Sequence, residues 1–212
     1  MRFTLGVDEA GRGPLAGPVA VGVVAVAAGF DVAREFPGVT DSKKLTEKNR
    51  ERIFEMLEAR VTLGDARFTV ELGPAAEIDE QGIAVVIRAL VARGIRSLEN
   101  YRSQTSLKLP KSDFDNVADM HVLLDGSLSA PPEYPQETVI HGDMLIPVIS
   151  LASIAAKVER DRVMVALAAA HPLYGFERHK GYGTKDHYEA LKKHGLCAIH
   201  RRSFVHLAPE GV

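Results

Sequence analysis

The chain has 212 residues, of which 46% are hydrophobic and 25% charged, ordinary proportions for a soluble globular protein built as one large domain or two small ones. Its formal net charge of −2 rules out a globally basic nucleic-acid binder, so any polyanion contact has to come from local patches. A single cysteine, Cys197, excludes an intramolecular disulfide framework and fits a reducing, cytoplasmic setting, where it reads as a small buried hydrophobe.

Residues 2–8 and about 18–28 read as two strands joined by a glycine-rich loop, with no signal peptide before them. The longest apolar stretch, Val19 to Phe30, carries glycines and reads as a buried strand, not a membrane span. Thr46 to Arg60 has the pattern of a helix with Thr46 as N-cap and Ile53, Phe54, Met56 and Leu57 on one side. Arg67 to Leu72 alternates like a strand, and Ile83 to Leu98 reads as a helix weakened toward its end by Gly94. The polar stretch 101–117 has no period and reads as a surface insertion. His121 to Leu124 and Thr138 to Ile140 are short strands that run into Asp125-Gly126 and Gly142-Asp143. Ser150 to Ala169 is a strong helix stopped by His171-Pro172, and Thr184 to His194 is a last helix closed by Gly195. Strands first, then strands alternating with helices, predict an α/β mixed sheet flanked by helices. With no linker or repeat in view, one domain is expected over 1–212, its helical part at about 150–205 packed on the sheet.

Three predicted strands end in acids: Asp8 with Glu9, then Asp125, then Asp143. Any one alone reads as a turn cap. Together, at one sheet edge, four carboxylates repel one another unless cations bind, and Mg2+ or Mn2+ suits oxygen ligands. Adjacent strand residues point to opposite faces, so Asp8 and Glu9 reach one site only if the strand ends there. Gly11-Arg12-Gly13 follows at once, a loop whose backbone can approach a ligand closely. Asp41-Ser42-Lys43-Lys44-Leu45, taken alone, is a solvated helix start; its functional reading is phosphate contact. Ser153, Lys157, Arg160 and Asp161 share a helix face, either as a salt-bridged surface or as a polar face turned toward the acids. Arg178 to Lys185 sets Tyr182 between two glycines among cations, a motif suited to stacking on sugars or bases beside phosphates. With Lys192, Lys193, Arg201 and Arg202 the C-terminal third has a local positive excess. Its histidines (His179, His187, His194, His200) lack the compact spacing of a zinc site.

These segments, with Glu77-Ile78-Asp79, Ala152 to Arg162 and His200 to Phe204, resemble ribonuclease HII, the type 2 ribonucleases H, from Gly6 to about Phe204. The resemblance implies a ribonuclease H-like fold and cleavage of the RNA strand of RNA–DNA hybrids and at single ribonucleotides in duplex DNA. It implies two-metal hydrolysis giving 5′-phosphate and 3′-hydroxyl ends, with Asp8, Glu9, Asp125 and Asp143 as catalytic metal ligands. It further implies that Gly11, Arg12 and Gly13 read a ribose 2′-hydroxyl, that Tyr182 packs on the adjoining deoxyribose, and that Ser42 and Lys43 contact phosphate. Ribonuclease HIII, a similar family, typically has a lysine in the glycine motif and a glutamate as last acid; Arg12 and Asp143 favour HII. A monomer is expected, and no clamp-binding motif is visible in His206 to Val212. The rivals are a DNA nuclease on the same fold, which needs no 2′-hydroxyl test, and a silent hybrid-binding module, which needs no full set of acids.

Overall fold

The computed structural model describes residues 3–100 and 119–206. The stretch 101–117 and the segment after His206 searched for a clamp motif therefore lie outside the described residues. In chain order the elements are β1 (Phe3–Ala10), β2 (Val19–Ala27), α1 (Val32–Glu35), α2 (Glu47–Leu63), β3 (Ala66–Gly73), α3 (Ala75–Gln81), α4 (Ile83–Asn100), β4 (Met120–Asp125), β5 (Gln136–Val139), α5 (Gly142–Leu145), α6 (Pro147–Ala170), α7 (Phe176–His179) and α8 (Lys185–His194). The strands form one mixed sheet in the order β3-β2-β1-β4-β5, antiparallel within β1–β3 and parallel from β1 through β4 to β5.

The expected strands and long helices are present, with shifted ends. Thr46 caps α2 by accepting from the Asn49 N–H, and Thr184 caps α8 by accepting from the His187 N–H. Gly94 does not end α4, which runs to Asn100; a Cβ there would lie 2.8 Å from Val23, so the glycine lets the helix sit close on β2. The last strand is Gln136–Val139, starting two residues earlier and ending one residue earlier than its apolar run suggests, and Ile140 is exposed beyond it. α1, α5 and α7 are single turns, too short for a periodic signal, and α3 is a seven-residue helix that the sequence reading leaves out.

The sheet buries both faces. Leu5, Val7, Val122 and Leu124 pack with α4 on one side through Val86, Leu90 and Val91. On the other side Val24 and Val26 pack with α2 and α6, through Ile53, Phe54, Leu57, Leu151 and Ala155. Each such side chain contributes roughly 1.5–3 kcal/mol when fully removed from water. α6 lies unusually close to the strands because Gly6 and Gly22 face it: a Cβ at either would come within 2.2–2.3 Å of the Val148 or Ala152 carbonyl oxygen. A third cluster, with Leu15, Met164, Tyr174, Phe176 and Leu191, fastens the C-terminal segment to the end of α6 and to the loop after β1. Asp79 on α3 accepts the backbone N–H groups of Arg202 and Ser203, tying that segment to the other face as well. None of the described helices is long and apolar enough to cross a membrane.

Candidate active site

β1 and β4 run parallel with Val7 opposite Leu124, so the next residues, Asp8 and Asp125, stand side by side on the α6 face of the sheet. Asp143 joins them from α5, its backbone N–H donating to Asp125 Oδ1 at 3.2 Å. Ser150 of α6 holds that turn by donating to the Asp143 carbonyl at 2.7 Å. One carboxylate oxygen from each of Asp8, Asp125 and Asp143 lies within 4.8 Å of the others. Asp125 closes its strand as expected, whereas Asp143 sits on a helical turn past β5 and Asp8 lies inside β1.

That last point decides the place of Glu9. β1 stays regular through Ala10, paired with Ala20, so alternation turns Glu9 to the face of Leu5 and Val7. Glu9 stands beside the triad, not in it. Its carboxylate pairs with Arg12 at 2.9 Å, and its N–H donates to Asp8 Oδ1 at 2.7 Å.

The electrostatics suit a cation. Burial is the main cause that pushes the Asp8 carboxyl up from 3.8 to about 8, with Glu9 and Asp125 adding to it and a hydrogen bond from Ser153 opposing. Burial also raises Asp143, reinforced by Asp125 and Asp41 and offset by Lys43. Burial raises Glu9 too, against the pull of Arg12. A hard divalent ion among these oxygens removes the repulsion, so the donor set fits one.

Ser42 and Lys43 arrive from the loop before α2. Ser42 is buried, and its Oγ lies 2.9 Å from the Ser153 Oγ, which puts it two hydroxyls away from the Asp8 carboxyl. Lys43 is exposed, with its Nζ 3.8 Å from Asp143 Oδ2. Burial works to lower its pKa, yet Asp143, Asp41 and Asp8 together raise it. The α6 face is therefore polar and turned inward: Ser153 reaches Asp8, and Lys157 pairs with Asp161 at 2.8 Å.

Two fully buried arginines, Arg160 and Arg201, shape the glycine loop, a role the sequence does not signal. Arg201 donates to the carbonyls of Gly11, Arg12 and Gly17 at 2.7, 3.0 and 2.9 Å. Arg160 donates to those of Pro18 and Lys180 at 2.8 and 3.0 Å. Gly11 has φ +84°, and a Cβ on it would lie 1.9 Å from Arg160 Nε, so the loop excludes any other residue there. Arg12 and Gly13 form its exposed crest. Leu15 N–H donates to the Gly181 carbonyl at 2.8 Å, joining this loop to the turn that carries Tyr182. The Tyr182 ring is 41% exposed, with Lys157 and Arg160 each 5.7 Å from its centroid. Arg201 thus belongs to the interior, not to a basic surface.

The Ribonuclease HII family model matches residues 5–207. Over 202 residues the chain is 43% identical to the ribonuclease HII of Marinomonas sp. (strain MWYL1), covering 94% of this chain and 88% of that one. The crystal structure of the ribonuclease H2 from Pyrococcus horikoshii OT3 is similar with a TM-score of 0.66 at 26% identity, covering 95% of this chain and 93% of that one. The fold is also shared, with a TM-score of 0.64 at 24% identity and 98% of both chains covered, by the RNase HII in a PCNA complex from Archaeoglobus fulgidus. The mixed five-strand sheet with flanking helices is accordingly a ribonuclease H-like fold, as the sequence predicts.

Proposed function

Because the chain belongs to the ribonuclease HII family, and so is an endoribonuclease hydrolase acting on RNA–DNA hybrids, we propose that it also cuts at single ribonucleotides embedded in duplex DNA, leaving 5′-phosphate and 3′-hydroxyl ends. The observation that carries this reading is the meeting of Asp8, Asp125 and Asp143 beside the Gly11–Gly13 loop. In this reading Asp8, Asp125 and Asp143 would hold Mg2+ or Mn2+, and Glu9 would become a further ligand through a local turn of the end of β1 that takes its carboxylate from Arg12. Held by these carboxylates, two such ions would supply an activated water and charge stabilisation for the departing 3′ oxygen.

The remaining residues bind and discriminate. Ser42 and Lys43 contact the phosphate, with Lys43 also balancing the carboxylates when they are ionised. The loop of Gly11, Arg12 and Gly13 meets the ribose 2′-hydroxyl, the group by which a protein tells RNA from DNA. Tyr182 packs on the neighbouring deoxyribose, supported from below by Lys157 and Arg160. The enzyme acts as a monomer in the cytoplasm.

The test is cleavage of a DNA duplex holding one ribonucleotide, with magnesium, with manganese and with chelator. Cutting beside the ribonucleotide, lost on chelation, is expected. Equal cutting of an all-DNA duplex would overturn the assignment.

A further inference from the structure

Tyr182 is poorly anchored by its own surroundings. Tyr182 is 41% exposed, and the contacts on its ring are the cations of Lys157 and Arg160, each 5.7 Å from the centroid. What fixes it is its backbone. The Tyr182 N–H donates to the His179 carbonyl at 2.9 Å, and its carbonyl accepts from the Thr184 N–H at 2.8 Å. The same carbonyl lies 2.9 Å from His187 Nδ1.

His187 leads further inward. Its Nε2 is 3.0 Å from His200 Nε2, and His200 Nδ1 is 2.9 Å from the backbone nitrogen of Cys197. The ends of this chain dictate every proton in it. A backbone N–H can only donate, so His200 Nδ1 accepts and its Nε2 carries the hydrogen. That hydrogen points at His187 Nε2, which must then accept, leaving the proton of His187 on Nδ1. A carbonyl can only accept, and Nδ1–H donates to Tyr182. Both rings are almost wholly buried, 0% and 3% exposed, against Phe176 and Tyr174. His179 stacks on His187 at 4.5 Å and is wired the same way: its Nδ1 accepts the Gly181 N–H, so its Nε2–H donates to the Tyr174 carbonyl. Burial lowers the pKa of both His187 and His200, His200 to about 4, which keeps the pair neutral. A second proton on either ring removes an acceptor and breaks the series.

We propose that His187 and His200 are positioning residues: a neutral, one-directional hydrogen-bond relay from the Cys197 N–H to the Tyr182 carbonyl that sets where the Tyr182 ring meets the nucleic acid. It rests on the reading of Tyr182 as a sugar-packing residue. It also accounts for His179, His187 and His200 through hydrogen bonds to backbone groups and to one another.

The experiment compares His187→Asn with His187→Gln. The Asn amide nitrogen takes the place of Nδ1 and keeps the donor to Tyr182; the Gln amide takes the place of Nε2 and loses it. Each is made with and without Tyr182→Ala, and kcat and KM are measured on the single-ribonucleotide duplex and on a uniform RNA–DNA hybrid, beside melting temperatures. Loss of one buried hydrogen bond predicts that His187→Gln lowers the ratio of single-ribonucleotide to hybrid kcat/KM about tenfold. His187→Asn leaves the buried His200 Nε2–H without its acceptor and so lowers the melting temperature, but it keeps the substrate ratio close to that of the parent protein, and His187→Gln adds nothing to the change in ratio once Tyr182→Ala is present. Nitrogen-15 spectra of the unmodified protein are expected to show His187 protonated on Nδ1 and His200 on Nε2. The inference is overturned if these tautomers are reversed, if Asn and Gln behave alike, if both substrates lose equally, or if the losses add. If Tyr182→Ala leaves the ratio unchanged, the reading of Tyr182 falls and takes the positioning role with it. A defective Tyr182→Ala beside a normal His187→Gln sinks the relay alone.

Discussion

Replacing Asp8 with asparagine tests the electrostatics of the acidic cluster without relying on catalysis. The Asp8 carboxyl is 4% exposed and its pKa stands at about 8 against an ordinary 3.8. A carboxyl whose folded pKa lies above its unfolded value stabilises the fold in acid, and that stabilisation drains away as pH rises from about 4 to about 8. At about 1.4 kcal/mol per pH unit, the ionised group burdens the metal-free fold by roughly 5 kcal/mol above pH 8 and by roughly 1.6 kcal/mol at pH 5. Asparagine has the same shape, can keep accepting the Glu9 N–H at the 2.7 Å contact and carries no charge in either state. In chelator, the melting-temperature advantage of Asp8→Asn should therefore widen by ~8 °C or more between pH 5 and pH 8.5, taking ~2 °C per kcal/mol for a chain of this length. Magnesium at about 100 times its Kd should add roughly 2.7 kcal/mol to the parent protein at pH 8.5 and little to the variant. Thermal unfolding at the two pH values, with chelator and with magnesium, measures both effects. A gap that stays constant with pH, or a variant less stable than the parent in chelator at pH 8.5, would refute the claim that burial of Asp8 dominates the site.

Three further substitutions probe the parts around it. Ser153→Ala removes the hydrogen bond that favours ionised Asp8, so the pH at which magnesium binding is half-maximal by calorimetry should move up; an unmoved midpoint would detach Ser153 from the site. Gly22→Ala drives a Cβ to within 2.3 Å of the Ala152 carbonyl oxygen and should cost about 1–3 kcal/mol in urea unfolding, with activity falling as α6 lifts Ser153 away. Arg201→Lys loses the planar fork whose three nitrogens each reach one of the Gly11, Arg12 and Gly17 carbonyls, at about 1–3 kcal/mol for each carbonyl left unpaired, so the melting temperature and single-ribonucleotide cleavage should both drop. An unchanged melting temperature would mean that the loop holds its shape without Arg201.

The long amphipathic elements were legible because their signals are local. Thr46 starts α2, and Thr184 and Gly195 bracket α8, through contacts within a few residues of each terminus, whereas the end of α2 lies at Gly64, beyond the Arg60 that the pattern marks. The acids were legible as residue types near the ends of apolar runs. The position of Glu9 was not, because it depends on how far β1 stays paired with β2, and strand length is set by the partner. In sequence Arg201 reads as part of a basic excess, Arg160 as one of a helix face that could turn out or in, and His187 and His200 as histidines without the spacing of a zinc site. The two arginines are buried because they satisfy carbonyls contributed by segments far away in the chain, and the two histidines because they satisfy each other and nearby backbone groups under the aromatic rings of Tyr174 and Phe176.

By itself the sequence determined the α/β order of elements, the supply of carboxylates, the glycine loop and the exposed tyrosine, since periodicity and turn chemistry act over a few residues. The tertiary structure alone decided which acids converge. The parallel register of β1 and β4 sets Asp8 beside Asp125, a turn of α5 delivers Asp143, and unbroken pleating sends Glu9 to Arg12. Register and burial are properties of segments meeting across the fold, and no single stretch of the chain encodes them.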